Sequence, residues 1–155
     1  MQAKTWDDDL EYDFMQVSDI PEVIEIERKS FPTPWSRLAY LSELLENDKA
    51  VYIVAKRNGR VVGYTGMWLI FDEGHITTLA VDPKERGRGI GRRLLRRLTA
   101  VAESRGATKM TLEVRKSNHV AYSLYLSEGY VSAGIRPKYY RDNNEDAIIM
   151  WKDIR

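Results

Sequence analysis

Residues Ile76–Leu95 read ITTLAVDPKERGRGIGRRLL. A β-rich run closes at Val81, Asp82-Pro83 interrupts it, and the apolar period then changes from that of a strand to that of a helix. Ile90, Leu94, Leu95, Leu98, Val101 and Ala102 fall on one helical stripe, which Gly106 ends. Gly87, Gly89 and Gly91 gather where that helix begins. Glycines allow close backbone approach, and the free N–H groups of a helix start favour an anion, so the turn suits a phosphate or pyrophosphate. Arg86, Arg88, Arg92 and Arg93 add positive charge. The stretch lacks the GxxxxGK[ST] of a Walker A loop, and its glycines are spaced GxGxG instead of the dinucleotide fingerprint GxGxxG.

Outward from this stretch, strand and helix signals alternate. Leu10–Val17 reads as a first strand. Ser18 or Asp19 caps a helix with Pro21 in its first turn, carrying Val23, Ile24, Ile26 and Glu27. FPTPWS (Phe31–Ser36) breaks it, and Ser36 caps a second helix with Leu38, Leu41, Leu44 and Leu45 at apolar spacing. Ala50–Ala55 and Val61–Ile70 are strands joined at Asn58-Gly59, a hairpin signal. A strand over His75–Val81 follows Asp72-Glu73-Gly74. After the central helix come a strand over Lys109–Val114, a helix over Asn118–Ser127 with Gly129 past its end, and strands over Tyr130–Ile135 and Ala147–Trp151. The pattern is a mixed sheet with helices on its faces.

The chain has 155 residues, 24 Lys+Arg, 23 Asp+Glu and no Cys. That length is one domain, 1–155, with residues 1–9 as a loosely ordered acidic lead. Without Cys there is no disulfide, thiolate metal site or cysteine nucleophile. No apolar run is long enough to span a bilayer and the start is not a secretory signal, so a cytoplasmic protein without a membrane partner is expected. The net charge of +1 is unevenly spread: nine acids stand against three basic residues in positions 1–30, and seven basic residues against Glu85 in positions 84–97. By itself the basic block leaves nucleic acid, a phosphorylated small molecule and a solvated helix face all open.

Arg86-Gly87-Arg88-Gly89-Ile90-Gly91 resembles the R/Q-x-x-G-x-G/A motif of the Gcn5-related N-acetyltransferases. LEVRKSNHVAYSLYLSEGY resembles the strand and helix that follow it there. With FPTPWS and the tail YYRDNNEDAIIMW, residues 10–152 are similar to the ribosomal-protein-alanine N-acetyltransferase subfamily. The resemblance implies an α+β fold, layered α/β/α, with a mixed, mostly antiparallel sheet of about seven strands and about four helices. It implies acetyl-CoA as cosubstrate, with no metal, and no direct contact with nucleic acid.

Acetyl transfer from a thioester to an amine requires that the cosubstrate be held, the amine lose a proton, the oxyanion be stabilised and the leaving thiolate be protonated. The resemblance gives the pyrophosphate to the backbone of Gly87, Arg88, Gly89, Ile90, Gly91 and Arg92, and the pantetheine arm to the backbone of Leu79, Ala80 and Val81. It sets Asn118 against the cofactor, although on its own Asn118 reads as an N-cap. An α-amine with a pKa near ~8 needs a base. Glu113, flanked by Leu112 and Val114, holds the family's base position. Tyr125 matches the LY pair and is the acid, with Tyr122 as rival; His75 and His119 read as structural.

For the acceptor, the resemblance implies the N-terminal amine of a protein, usually ribosomal protein S18 beginning with Ala. Pro34 and Trp35 in the FPTPWS loop, and Tyr139 and Tyr140 in a loop between the last two strands, would flank the peptide. The turn Asp142–Glu145 lacks an expected Gly. Two further readings remain: a small-molecule amine acetyltransferase, acting on a polyamine or antibiotic, and a non-catalytic module binding CoA or nucleic acid.

Overall fold

The computed structural model describes residues 10–155; the acidic lead, residues 1–9, lies outside them. In chain order the elements are strand β1 (Leu10–Phe14), helices α1 (Ile20–Ser30) and α2 (Arg37–Glu46), strands β2 (Ala50–Arg57), β3 (Arg60–Ile70) and β4 (Glu73–Val81), helix α3 (Ile90–Ser104), strand β5 (Lys109–Arg115), helix α4 (His119–Ser127), and strands β6 (Val131–Tyr140) and β7 (Glu145–Asp153). The strands form one sheet in the order β1-β2-β3-β4-β5-β7-β6. Only β4 and β5 run parallel.

Alternation along the strands builds two cores. Val51, Ile53 and Ala55 of β2 face the cluster under α3 and α4, while Tyr52 and Val54 face the cluster under α1 and α2. The helices thus lie two to each side, an α/β/α sandwich as expected. The stripe of α3 seats Ile90, Leu94, Leu95, Leu98 and Ala102 in the first core, all buried. Burying each of its isoleucine and leucine side chains contributes about 1.5–3 kcal/mol. The Asn58-Gly59 hairpin has positive φ at both residues, 53° and 79°, as a type I′ turn requires.

Some boundaries move for physical reasons. β1 stops at Phe14, because Val17–Asp19 forms a 3₁₀ turn in which the Asp19 carboxylate accepts from the Gln16 N–H (2.8 Å) and meets Lys56 Nζ (2.7 Å). Only half of the leucine stripe of α2 is buried: Leu41 and Leu44 pack against the core beside the fully buried Tyr40, while Leu38 and Leu45 are exposed. β6 runs to Tyr140 instead of ending near Ile135. Lys138, Tyr139 and Tyr140 therefore end a strand, not a loop. In the β6–β7 turn, Asn144 takes the left-handed position (φ 58°) where Gly was expected, a conformation Asn tolerates.

Candidate active site

β4 and β5 pair at only three positions, Glu73–Lys109, Gly74–Met110 and His75–Thr111. Beyond His75, β4 keeps its pairing to β3 and β5 keeps its pairing to β7, but the two no longer meet. The parting coincides with a bulge in β4, where Gly66 pairs Thr78 and Met67 pairs Ile76, leaving Thr77 as the extra residue. Thr65 Oγ1 fastens the bulge by donating to the Thr78 carbonyl (2.8 Å). The parted strands open a cleft of about 1260 Å³. Ile76–Leu79 and Leu112–Arg115 wall it, with the Phe31–Thr33 loop, Trp35, Tyr125 and the β6–β7 region around it.

The glycine-rich turn follows β4 directly. Gly87 and Gly89 have φ of 80° and 79°, a conformation that strains any residue with a Cβ. A Cβ on Gly89 would also lie 2.7 Å from Arg93 Nη1. The first helical bond of α3 runs from the Arg93 N–H to the Gly89 carbonyl. The N–H groups of Gly87, Gly89, Ile90, Gly91 and Arg92 therefore point out of the helix start with no acceptor among the described residues. Gly91 tucks this start against Val81 and Leu124. Ile90 is buried, so only its backbone is available. Arg86 Nε donates to the Val81 carbonyl (3.1 Å), fixing the turn to the end of β4.

Much of the basic block has partners inside the protein. Arg92 and Arg96 both reach Glu128 at the end of α4, at 2.5 and 2.9 Å. Hydrogen bonds from Arg96, then Arg92, hold the Glu128 carboxyl below the usual carboxylate range against the opposing effect of burial. Arg88 and Arg57 share Glu85. Arg97 lies over the Tyr12 ring.

Glu113 and Tyr125 come together on the cleft wall, one from β5 and the other from α4. Glu113 is partly exposed, and its Oε2 accepts from Arg136 Nε at 3.2 Å. Arg136 lies on β6, so this ion pair crosses over β7. Tyr125 is 7% exposed, its ring packs edge-on to Tyr130, and burial raises its hydroxyl well above the ordinary phenol value. Asn118 also lines the cleft, and its side chain caps α4 by accepting from the Ala121 N–H (3.1 Å). Tyr122 is not on the wall. His75 sits where β4 and β5 still pair, bonded to Glu73 (2.8 Å) and edge-on to Trp151; neither it nor His119 lines the cleft.

At the other end, Trp35, Tyr139 and Tyr140 line the cleft; Pro34 is exposed and off its wall, while Pro32 is on it. Arg115 Nη1 and Nη2 grip Asp142 at 3.0 and 2.8 Å, Arg115 also reaches Glu145, and its guanidinium stacks 4.0 Å over Tyr140. Burial pushes the Tyr140 hydroxyl up to about 12. Thr33 Oγ1 donates to Asp142 (3.4 Å), so the α1–α2 loop touches the β6–β7 turn across the cleft.

One wall residue escaped the sequence reading. Glu27 is 3% exposed and accepts from the hydroxyls of Tyr40 (2.8 Å) and Tyr64 and from the Trp35 N–H (2.9 Å). Its signal was present: Ile20, Val23, Ile24 and Glu27 follow i, i+3, i+4, i+7 spacing, so a carboxylate occupies the core stripe of α1.

The model of the acetyltransferase (GNAT) family matches residues 20–130. The chain belongs to the acetyltransferase (GNAT) family. Within that family it is 43% identical over 140 residues to a Bacillus subtilis protein, covering 90% of this chain and 93% of that one. The Bacillus protein carries the provisional name ribosomal protein bS18-alanine N-acetyltransferase. It is 35% identical over 138 residues to the ribosomal protein bS18-alanine N-acetyltransferase of Escherichia coli K12, covering 88% and 92%. The crystal structure of the ribosomal-protein-S18-alanine N-acetyltransferase from Escherichia coli superposes with a TM-score of 0.85 at 33% identity, covering 94% of each chain. The seven-stranded sheet parted between β4 and β5 is thus an acetyltransferase framework, and the chain is an acetyltransferase. No helix among the described residues is long and apolar enough to cross a membrane.

Proposed function

We propose that this acetyltransferase moves the acetyl group of acetyl-CoA to the N-terminal α-amine of a protein, with the Ala-starting N-terminus of ribosomal protein S18 as acceptor. The relatives named for that acceptor align over nearly their whole length, which supports the choice. The observation that carries the reading is the parting of β4 from β5 beyond His75, with Glu113 and Tyr125 on the wall and the glycine turn at its end. The β6–β7 side of the cleft carries Tyr139 and Tyr140 with Lys138 and Arg141 beside Asp142 and Glu145, an aromatic wall of mixed charge that suits a peptide better than a polycation, against the small-amine reading.

Acetyl-CoA fits these residues. Five N–H groups without acceptors among the described residues, two of them on glycines held at positive φ, form a cradle for a pyrophosphate at the N-terminus of α3. The edge of β4 beyond His75, vacated by β5, offers the backbone of Leu79, Ala80 and Val81 for strand-like pairing with an extended chain. Ala80 is buried on the α1 side, so its contribution is through backbone alone. When bound, the thioester supplies an activated acetyl carbon.

Glu113 takes the proton from the acceptor amine, directly or through water; Arg136 occupies one carboxylate oxygen and leaves the other. Tyr125 keeps its proton throughout the working pH range, because burial disfavours the phenolate. Its hydroxyl therefore meets the leaving sulfur as a hydrogen-bond donor, the position required of the acid, although burial does not itself promote release of the proton. Trp35, Tyr139 and Tyr140 hold the acceptor peptide, and the Thr33–Asp142 contact bounds its entrance.

The test is a transfer assay with a peptide copying the S18 N-terminus, the product read by tandem mass spectrometry. Acetyl on the α-amine of residue 1 is expected. Turnover on small polyamines with none on the peptide would favour the second reading.

A further inference from the structure

Four carboxylates stand on the cleft wall, and three are matched to arginine: Glu113 to Arg136 at 3.2 Å, Asp142 to Arg115 at 2.8 Å, Glu145 to Arg115 at 3.4 Å. Glu27 has no ion-pair partner among the described residues, although it is the most buried of the four. Its hydrogen-bond partners are neutral: two tyrosine hydroxyls and one backbone N–H. Burial holds Tyr40 and Tyr64 protonated, so they remain donors and do not compete for the charge. A carboxylate oxygen accepts two hydrogen bonds. Oε1 takes both tyrosines and is filled; Oε2 takes only the Trp35 N–H and has one acceptor position left. An unneutralised charge out of bulk water acts strongly on its neighbourhood and favours a cation in the adjoining cleft.

An N-terminal α-amine has a pKa near ~8, so at neutral pH it arrives mainly as an ammonium. We propose that Glu27 is an acceptor-binding residue whose Oε2 receives the N-terminal ammonium of the incoming peptide before its proton is removed. The proposal rests on the N-terminal transfer reading above. It gives the cleft two carboxylates with separate duties, Glu27 for capture and Glu113 for proton removal. It also gives a reason to retain an acid on the core stripe of α1, where an apolar residue would pack without the desolvation cost.

The experiment compares two peptides on the full chain saturated with CoA, so that no turnover occurs. One begins with Ala; in the other the α-amine is replaced by a hydroxyl. Calorimetry on the wild type should show the amine peptide binding about 10- to 100-fold more tightly, the range of a hydrogen bond to a charged group. In Glu27→Gln, with a native circular dichroism spectrum, this preference should disappear while CoA affinity is unchanged. Tyr64→Phe removes one donor but keeps the charge, and should keep the preference. An undiminished preference in folded Glu27→Gln would overturn the proposal.

Should Glu27→Gln not fold, the pH dependence of the wild type still exposes the proposal to refutation. Tyr40 of α2 and Tyr64 of β3 face Glu27 from the core behind it; besides Glu27 and the three acids above, the cleft wall carries Arg115, Lys138, Arg141 and the tyrosines of β6 and α4, and no histidine. Between pH 7 and 9 the peptide amine changes charge, and the CoA thiol, with a pKa near ~8.5, is common to both peptides, so the hydroxyl peptide serves as the control for it. The affinity of the amine peptide relative to the hydroxyl peptide should fall over that interval; a constant or rising ratio overturns the proposal. A wild type that neither binds nor acetylates the Ala peptide overturns the N-terminal reading and this inference together. Normal acetylation with preference retained in Glu27→Gln overturns this inference alone.

Discussion

Gly66 lies under the ring of Tyr52 so closely that a Cβ would stand 2.1 Å from Cε2. That ring holds its hydroxyl between Glu43 (2.6 Å) and Thr77 (3.1 Å), and Thr77 is the bulge residue where β4 leaves β5. Gly66→Ala must push the ring aside, so a loss of about 1–3 kcal/mol in urea unfolding is expected, with an unchanged midpoint contradicting the packing account. The reacting residues give sharper tests. Glu113→Gln should lower kcat most at pH 6–7 and least above the amine pKa of ~8, where little proton removal is needed; a deficit equal at every pH removes Glu113 as base. Tyr125→Phe should lower kcat about 100-fold or more with little change in the KM for peptide. At this scale the sequence spoke for Glu113 and Tyr125 through a family pattern, and their common wall is consistent with it. It was silent on Arg136, whose bond to Glu113 crosses an intervening strand, a relation that no local spacing encodes.

At the scale of elements, α3 and α4 are joined by Arg92, Arg96 and Glu128. The folded Glu128 carboxyl titrates below its unfolded value. Its stabilisation is therefore full above the unfolded pKa near ~4.3 and is lost as pH falls through the folded value. Glu128→Gln should cost about 1–3 kcal/mol at pH 7, less than for a fully buried pair because the arginines are partly exposed. The difference from wild type should close in the acid range below that window. A gap that persists there, in paired chemical denaturations, would rule out the ion-pair origin. The central strand, turn and helix were legible because apolar period, glycine position and capping all agree there. α2 was legible only in part: Leu41 and Leu44 of its leucine stripe pack, but the buried face centres on Tyr40, which meets Trp35, Tyr52 and Tyr64, and leaves Leu38 and Leu45 outside. β6 ran longer than its apolar signal because pairing with β7 resumes at Tyr140–Glu145 after an irregular stretch, which local propensity does not register.

Across the whole molecule, a mixed sheet with helices on its faces could be read from alternating patterns and its α/β/α layering from the family resemblance, whereas the cleft could not. It exists because two parallel strands pair for three residues and then part, and that depends on what each strand bonds on its other side. The central claim is that this parting is the acetyl-transfer site, and a crystal structure with CoA and an Ala-starting S18 peptide tests it most directly. The account predicts pyrophosphate oxygens within hydrogen-bond distance of the N–H groups from Gly87 to Arg92. It also predicts the pantetheine arm along Leu79–Val81 and the peptide amine between Glu27 and Glu113. Coenzyme density away from the glycine turn, or the peptide terminus outside the β4–β5 cleft, would contradict it.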